Sequence, residues 1–253
     1  MTPLRISRNE STITGMLNAV IVGATSGIGR ALADVLVAEG YRVGATGRRD
    51  ALLREVADAY PGRVVMQAMD LREPEAAMTA LERLIAKLGG MDVLVIAAGI
   101  GARNPELDFG PEARVAAVNV VGFMAMATAG YHYFARHGGH LVGISSVAAL
   151  RGSRWSPSYS ASKAFMRNYL EALRARARHD RLPITVTEIL PGFVATPMTE
   201  GQQGMFWVAD TRTAAAQILA AIKAKRRRAY ITRRWGLVAW LLRHLPDWAL
   251  ERL

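Results

Sequence analysis

Short apolar runs closed by glycine alternate along this chain with longer stretches whose apolar residues recur every three or four positions. Leu17–Val22 is apolar on both faces, as a buried strand of a parallel sheet must be. It runs into a glycine-bearing turn and an amphipathic helix over about Gly27–Glu39. Further strands are predicted at Tyr41–Thr46, Arg63–Ala68, Met91–Ala98, Gly138–Ser146 and Ile184–Leu190, with a short last one near Tyr230-Ile231. Helices are predicted over about Glu73–Leu88, Pro111–Arg136, from Ser156-Pro157 onward, and Thr211–Lys225. Serine can cap the helix that begins at Ser156-Pro157, and proline suits its first turn. Strands alternating with helices imply right-handed parallel crossovers and ligands at the carboxyl ends of the strands. The expected fold is therefore α/β, a doubly wound parallel sheet of about seven strands with helices on both faces.

Composition narrows this picture. At 253 residues, 51% apolar and 21% charged, the chain suits one large globular domain. It has no cysteine, which excludes disulfides, thiolate metal sites and cysteine nucleophiles. His132, His137, His140, His179 and His244 show no paired metal spacing and read as surface or helix-end residues, so no metal is expected. Residues 1–15 are polar and read as a flexible extension rather than a signal peptide, and Met16 is a second candidate start. No run of 18 or more apolar residues is present, so no ordinary membrane-spanning helix is expected.

The candidate chemistry lies at the predicted strand ends. After the first strand come Gly23, Thr25, Ser26, Gly27, Ile28 and Gly29, whose glycines let the backbone turn tightly and approach a pyrophosphate at a helix N-terminus. The alternative is a plain glycine-rich connection. After the second strand, where an NAD site commonly carries an acid, stand Gly47, Arg48 and Arg49. Guanidinium groups suit a 2′-phosphate and glycine leaves room for it, so NADP(H) is favoured over NAD(H); the alternative is two solvated arginines before a helix. Asn119 lies in an apolar helix, where an amide must be satisfied and more often serves structure than catalysis. Ser146 ends the fifth strand. Tyr159 and Lys163 are four residues apart on one helical face, so both side chains are expected to reach one point, where the cation favours the phenolate. Residues 197–210 read as a mobile lid over a hydrophobic substrate or as an ordered surface loop.

Taken together, Gly23-x-x-x-Gly27-x-Gly29, Asp70, Asn119, Ser146, Tyr159-x-x-x-Lys163 and Pro191-Gly192 with Thr196 resemble the short-chain dehydrogenase/reductase family over about Leu17–Thr232. That resemblance implies a Rossmann-like fold, and an acid/base role for Tyr159 at the substrate oxygen. It implies that Lys163 lowers the tyrosine pKa and binds the nicotinamide ribose, that Ser146 orients the carbonyl, and that Asn119 holds a water linking Lys163 to solvent. By the same resemblance Asp70 and Leu71 flank the adenine, Ala98 and Gly99 line the cofactor, and Pro191, Gly192, Val194 and Thr196 hold the nicotinamide end. It also implies a homodimer or homotetramer. The chain departs from the family pattern at Val22, where threonine is frequent, and at Ile96-Ala-Ala-Gly99, where Asn-Asn-Ala-Gly is common.

Charge and apolarity concentrate at the carboxyl end. From Lys223 to Leu253, nine Lys/Arg stand against Asp247 and Glu251, a net +7 within a chain of net +11. Residues 233–253 follow the 16–232 domain as a basic, apolar, amphipathic helix. It either lies on anionic lipid or packs on the domain, a subunit or the substrate cleft. The expected protein is a cytoplasmic oxidoreductase, peripheral on the inner membrane face in the lipid-bound case. It would move a hydride between NADP(H) and a hydrophobic or lipid-like carbonyl or alcohol. The rival expectations are an NADP(H)-binding redox sensor or scaffold without turnover, and a membrane- or nucleic-acid-binding protein whose basic tail is its function. No nucleic-acid motif accompanies the charge, so nucleic acid is not expected as a partner.

Overall fold

The computed structural model describes residues 15–101, 103–201 and 203–244. Seven parallel strands form one sheet in the order β3-β2-β1-β4-β5-β6-β7. They are β1 (Asn18–Val22), β2 (Arg42–Gly47), β3 (Val64–Ala68), β4 (Val93–Ile96), β5 (Gly139–Ile144), β6 (Ile184–Pro191) and β7 (Arg228–Ile231). The chain works outward from β1 to β3, then returns to add β4 on the other side of β1. The strand order therefore reverses between β1 and β4, which opens a crevice at their carboxyl ends.

Alternation along each strand divides the core in two. Ala19 and Ile21 of β1 face one layer with α1 (Gly27–Ala38), α2 (Asp50–Asp58) and α7 (Thr211–Lys223), where Leu32, Leu36, Leu53, Ile218 and Ile222 are buried. Val20 and Val22 face the other layer with α3 (Pro74–Leu88), α5 (Phe123–His137) and α6 (Pro157–His179), filled by Leu84, Phe123, Met126, Phe134 and Leu170. Strands covered on both faces must be apolar on both, and that is why β1 reads as a continuous run.

Three expectations are corrected here. The helix predicted at Pro111–Arg136 runs from Phe109 to His137 as α4 (Phe109–Ala116), one π-helical turn (Ala117–Gly122) and α5. By length and a mean hydropathy of 1.4 this helix is apolar enough to cross a membrane, contrary to the expectation from apolar runs. Its inner residues, among them Val115, Phe123, Met126 and Phe134, are instead packed in the core. His140 is not a surface residue: it is buried on β5, where its Nε2 lies 2.7 Å from Thr187 Oγ1, and burial pushes its pKa down to about 4. Glu188 on β6, the register partner of Gly143, is likewise buried, and is held by Arg228 Nε at 2.6 Å and Ser145 Oγ at 3.0 Å.

The last helix, α8 (Trp235–His244), follows β7 directly. Trp235 and Ala239 point inward and are buried. The Arg151 guanidinium Nε donates to the Leu242 carbonyl at 2.7 Å, fastening the far end of α8 to the segment after β5. The predicted helix to residue 253 thus packs on the domain over its described part; residues 245–253 and the predicted extension at 1–14 lie outside the described residues.

Candidate active site

A cleft of about 340 Å³ opens at the carboxyl ends of the strands, on both sides of the β1/β4 switch point. Gly23, Thr25, Ser26, Gly27, Ile28 and Gly29 form its floor between β1 and α1. At its glycines this turn has no space for a side chain. A Cβ on Gly29 would stand 2.0 Å from the Gly23 carbonyl oxygen, and Gly27 adopts φ +56°. Ser26 occupies the N-cap without a side-chain capping bond, and the first turn of α1 carries no acid. Its amide groups and dipole therefore remain available to an anion.

The Arg49 guanidinium donates to Thr25 Oγ1 and Ser26 Oγ, both at 2.8 Å, and so lies along the cleft wall. Arg48 is exposed beside it, within electrostatic reach of Asp70. Gly47 does more than leave room for a ligand: a Cβ there would meet Thr25 Cγ2 at 2.7 Å, so its small size lets the two loops pack. Asp70 and Leu71 line the same end. The Asp70 carboxylate is already gripped by Arg72, at 2.5 Å to Nη2 and 2.9 Å to Nε, and these bonds hold its pKa below the usual carboxylate value. Arg72 is a partner that sequence reasoning missed, although its place two residues after the acid was a legible signal.

At the other end, Ala98 and Gly99 follow β4, and Pro191, Gly192, Val194 and Thr196 follow β6. Thr199 ties this second turn together: its Oγ1 accepts from Thr196 N at 3.0 Å and donates to the Val194 carbonyl at 2.7 Å. Beneath Gly192 sits the buried indole of Trp235, so close that a Cβ on Gly192 would lie 2.0 Å from it. Trp235 also stacks edge-on with Phe193 and at a tilt with Phe206, at centroid distances of 5.5 and 5.0 Å. No local pattern signalled this wall, because Trp235 lies 43 residues from the turn it supports.

Ser146, Tyr159 and Lys163 meet on one side of this cleft. Ser146 caps the 3-10 turn Val147–Leu150, with its Oγ accepting from Ala148 N at 3.1 Å. The N-terminus of α6 is not capped by Ser156, as the sequence suggested. The Glu112 carboxylate of α4 accepts the Ser158 amide at 2.9 Å instead, and Pro157 stands in the first turn. Tyr159 follows at once, its phenol within electrostatic reach of the Ser146 hydroxyl, which itself donates to the Pro191 carbonyl at 3.4 Å. One helical turn on, Lys163 is 5% exposed and its ammonium donates to the Ile144 carbonyl at 3.1 Å.

The electrostatics differ from the expectation that the lysine simply acidifies the tyrosine. Burial pushes the Tyr159 phenol above its ordinary value, and only the nearby Ser146 hydroxyl pulls it down. Burial also lowers Lys163 to about 8. The ammonium lies 5.7 Å from the tyrosine ring centroid and is turned towards Ile144, because a buried cation takes the nearest strong acceptor. The shared helical face thus brings the two side chains near each other without bringing them to one point.

Asn119 sits within the π-helical turn, fully buried, and is the one predicted site residue that does not line the cleft. Its Oδ1 accepts the Ile100 amide at 2.8 Å, while Nδ2 donates to the Ile100 carbonyl and to Ser162 Oγ at 2.8 and 3.0 Å. It thereby clamps the strand-end segment above it to α6. A Cβ on Gly99 would stand 3.3 Å from both Asn119 Oδ1 and Lys163 Nζ, so this glycine leaves those two groups facing one space.

A family model for short chain dehydrogenases matches residues 17–207. An uncharacterised oxidoreductase of Myxococcus xanthus is 38% identical over 72% of this chain and 73% of its own length. Dehydrogenase/reductase SDR family member 7B of Bos taurus is 32% identical over 93% and 80%. Among solved structures, a short chain dehydrogenase/reductase from Burkholderia phymatum in complex with NAD superposes with a TM-score of 0.81 at 21% identity, covering 89% of this chain and 92% of that one.

Proposed function

The chain belongs to the short-chain dehydrogenase family, and from that premise we propose that it is an NADP(H)-dependent carbonyl reductase or alcohol dehydrogenase with Tyr159 as acid/base. It is an oxidoreductase of a family that binds a nicotinamide dinucleotide, and the residues present suit that group. The uncapped N-terminus of α1 and the glycine turn before it, where Gly29 admits no Cβ, fit a pyrophosphate. Arg48 and Arg49 offer guanidinium groups suited to a 2′-phosphate, and Gly47 stands at the end of β2 where an NAD site commonly carries an acid. When bound, the nicotinamide ring supplies or accepts the hydride.

Everything else falls to the chain's own groups. Ser146 and Tyr159 aim two hydroxyls at one side of the cleft, able to hold a single carbonyl oxygen between them. In reduction Tyr159 gives that oxygen its proton; in oxidation it takes the proton back. Lys163 supplies the positive charge that stabilises the phenolate left behind. Asn119 Oδ1 keeps one lone pair facing the Lys163 side, suited to a water that returns the proton. Met198 and Ile100 line the cleft, and the point a Cβ on Gly101 would occupy lies 3.2 Å from the Tyr159 ring and 3.7 Å from Met198 Sδ. An apolar group beside the carbonyl fits this wall.

The observation that carries the proposal is the meeting of Ser146, Tyr159 and Lys163 on one wall of a cleft whose floor is the glycine turn. NADPH oxidation should be followed with a panel of ketones and aldehydes for the wild type and Tyr159→Phe. Loss of the general acid should lower kcat by about 100-fold or more while leaving NADPH binding intact. Equal turnover by the two proteins on every active substrate would overturn the assignment.

A further inference from the structure

We propose that the mouth of this cleft docks on the surface of an anionic lipid bilayer, through α8 and the aromatic segment 206–208. The outer face of α8 is apolar where solvent-facing helices are polar. Leu237, Trp240 and Leu241 recur at helical spacing and are 68%, 59% and 48% exposed. The inner face, with Trp235 and Ala239, is already spent on the domain. Phe206, Trp207 and Val208 add apolar surface at the start of the same helix. All three are exposed, and Phe206 and Trp207 lie 5.0 and 6.0 Å from Trp235 by ring centroid.

Charge decides what this surface fits. Arg234 stacks its guanidinium 5.0 Å from the Trp207 ring, and Arg233 beside it is exposed. Trp155 is 45% exposed and has the guanidinium groups of Arg103 and Arg154 at 5.0 and 4.9 Å from its ring centroid. Half-exposed tryptophans paired with arginines match the headgroup layer, where rings take the amphipathic depth and cations meet lipid phosphates. No Asp or Glu occurs between Thr211 and Pro246, and the acids nearest the mouth in sequence are Glu106, Asp108, Glu200 and Asp210. Docking of this kind is interfacial, with apolar side chains inserted to the acyl boundary and anionic lipid adding attraction. Met198, exposed at the rim and lining the cleft, would then face the bilayer side, so that a lipophilic substrate could enter without crossing water. That last consequence rests on the reductase reading; the docking itself does not.

Flotation of the full chain with phosphatidylcholine vesicles, alone or mixed with phosphatidylglycerol, tests the proposal. The protein should float with the mixed vesicles and much less with phosphatidylcholine alone. Leu237→Glu/Trp240→Glu should weaken that binding by about tenfold or more, since each change removes an inserted apolar group. The turnover of a water-soluble ketone by this variant should remain, which separates loss of docking from loss of chemistry. Arg233→Gln/Arg234→Gln should selectively weaken binding to the phosphatidylglycerol vesicles. The proposal is overturned if wild type and variants float equally. It is equally overturned if the wild type ignores vesicles and the double glutamate variant shifts its solution mass from a larger assembly to a monomer, which would make the patch a contact between copies of this chain.

Discussion

Lys163→Met should make the cofactor-free protein more stable at neutral pH while destroying its turnover. The ammonium is buried, and burial alone lowers its pKa from 10.5 to about 8. That difference corresponds to about 3 kcal/mol of unfavourable free energy carried by the charged folded state. Below about pH 8 both folded and unfolded chains hold the proton, so the penalty is present in full. Between about 8 and 10.5 the unfolded chain binds the proton and the folded chain does not, so wild-type stability rises with pH. Above that window both forms are neutral and the penalty is gone. Methionine has nearly the same shape and no charge, but it abandons the bond to the Ile144 carbonyl, at a cost of about 1 kcal/mol. The net gain at pH 7 is therefore about 2 kcal/mol, a rise in Tm of about 4–8 °C for a chain of this size. Thermal unfolding of wild type and variant without cofactor, from pH 7 to pH 10, measures it. A variant that melts at or below the wild type at pH 7, with a gap independent of pH, would refute the reasoning.

Other outcomes follow from particular contacts. Gly29→Ala places a Cβ 2.0 Å from the Gly23 carbonyl oxygen, so the turn must open; NADPH affinity should fall by about tenfold or more, read by fluorescence titration. Arg228→Met leaves the Glu188 carboxylate buried with Ser145 but without its guanidinium, and urea unfolding should show a loss of about 3–5 kcal/mol. Most of that loss should return in Arg228→Met/Glu188→Gln. Arg48→Ala and Arg49→Ala should each reduce the preference for NADPH over NADH by about tenfold, measured as the ratio of kcat/KM values; an unchanged ratio in both would remove the arginines from cofactor selection.

Much of the molecule was legible locally because its signals are local. Parallel strands buried on both faces are apolar throughout, and each glycine turn follows such a run at once. The seven strands, their order of appearance and the α/β class follow from that pattern, as does the placement of Tyr159 and Lys163 early in one helix. The ends of elements were less legible. Ser156 had the residue type of a cap, but the amide it was expected to satisfy is held by Glu112, a carboxylate from another helix. His140 had the residue type of a surface group, but its strand lies in the middle of the sheet, where Thr187 on β6 satisfies it.

By itself the sequence determined which groups are present and which can lie together along one element: the glycine turn, the paired arginines after β2, and a phenol and an amine one helical turn apart. Tertiary structure decided what those groups experience. Burial raises Tyr159 and lowers Lys163, and it turns the ammonium towards Ile144 rather than the phenol. Packing placed Trp235 beneath Gly192 and left Leu237 and Trp240 facing outward on the same helix. It also packed Phe123, Met126 and Phe134 of the apolar helix Phe109–His137 into the core. The physical reason is common to all of these. Desolvation and contact depend on neighbours brought from distant parts of the chain, and neither is a property of the residues within one local window.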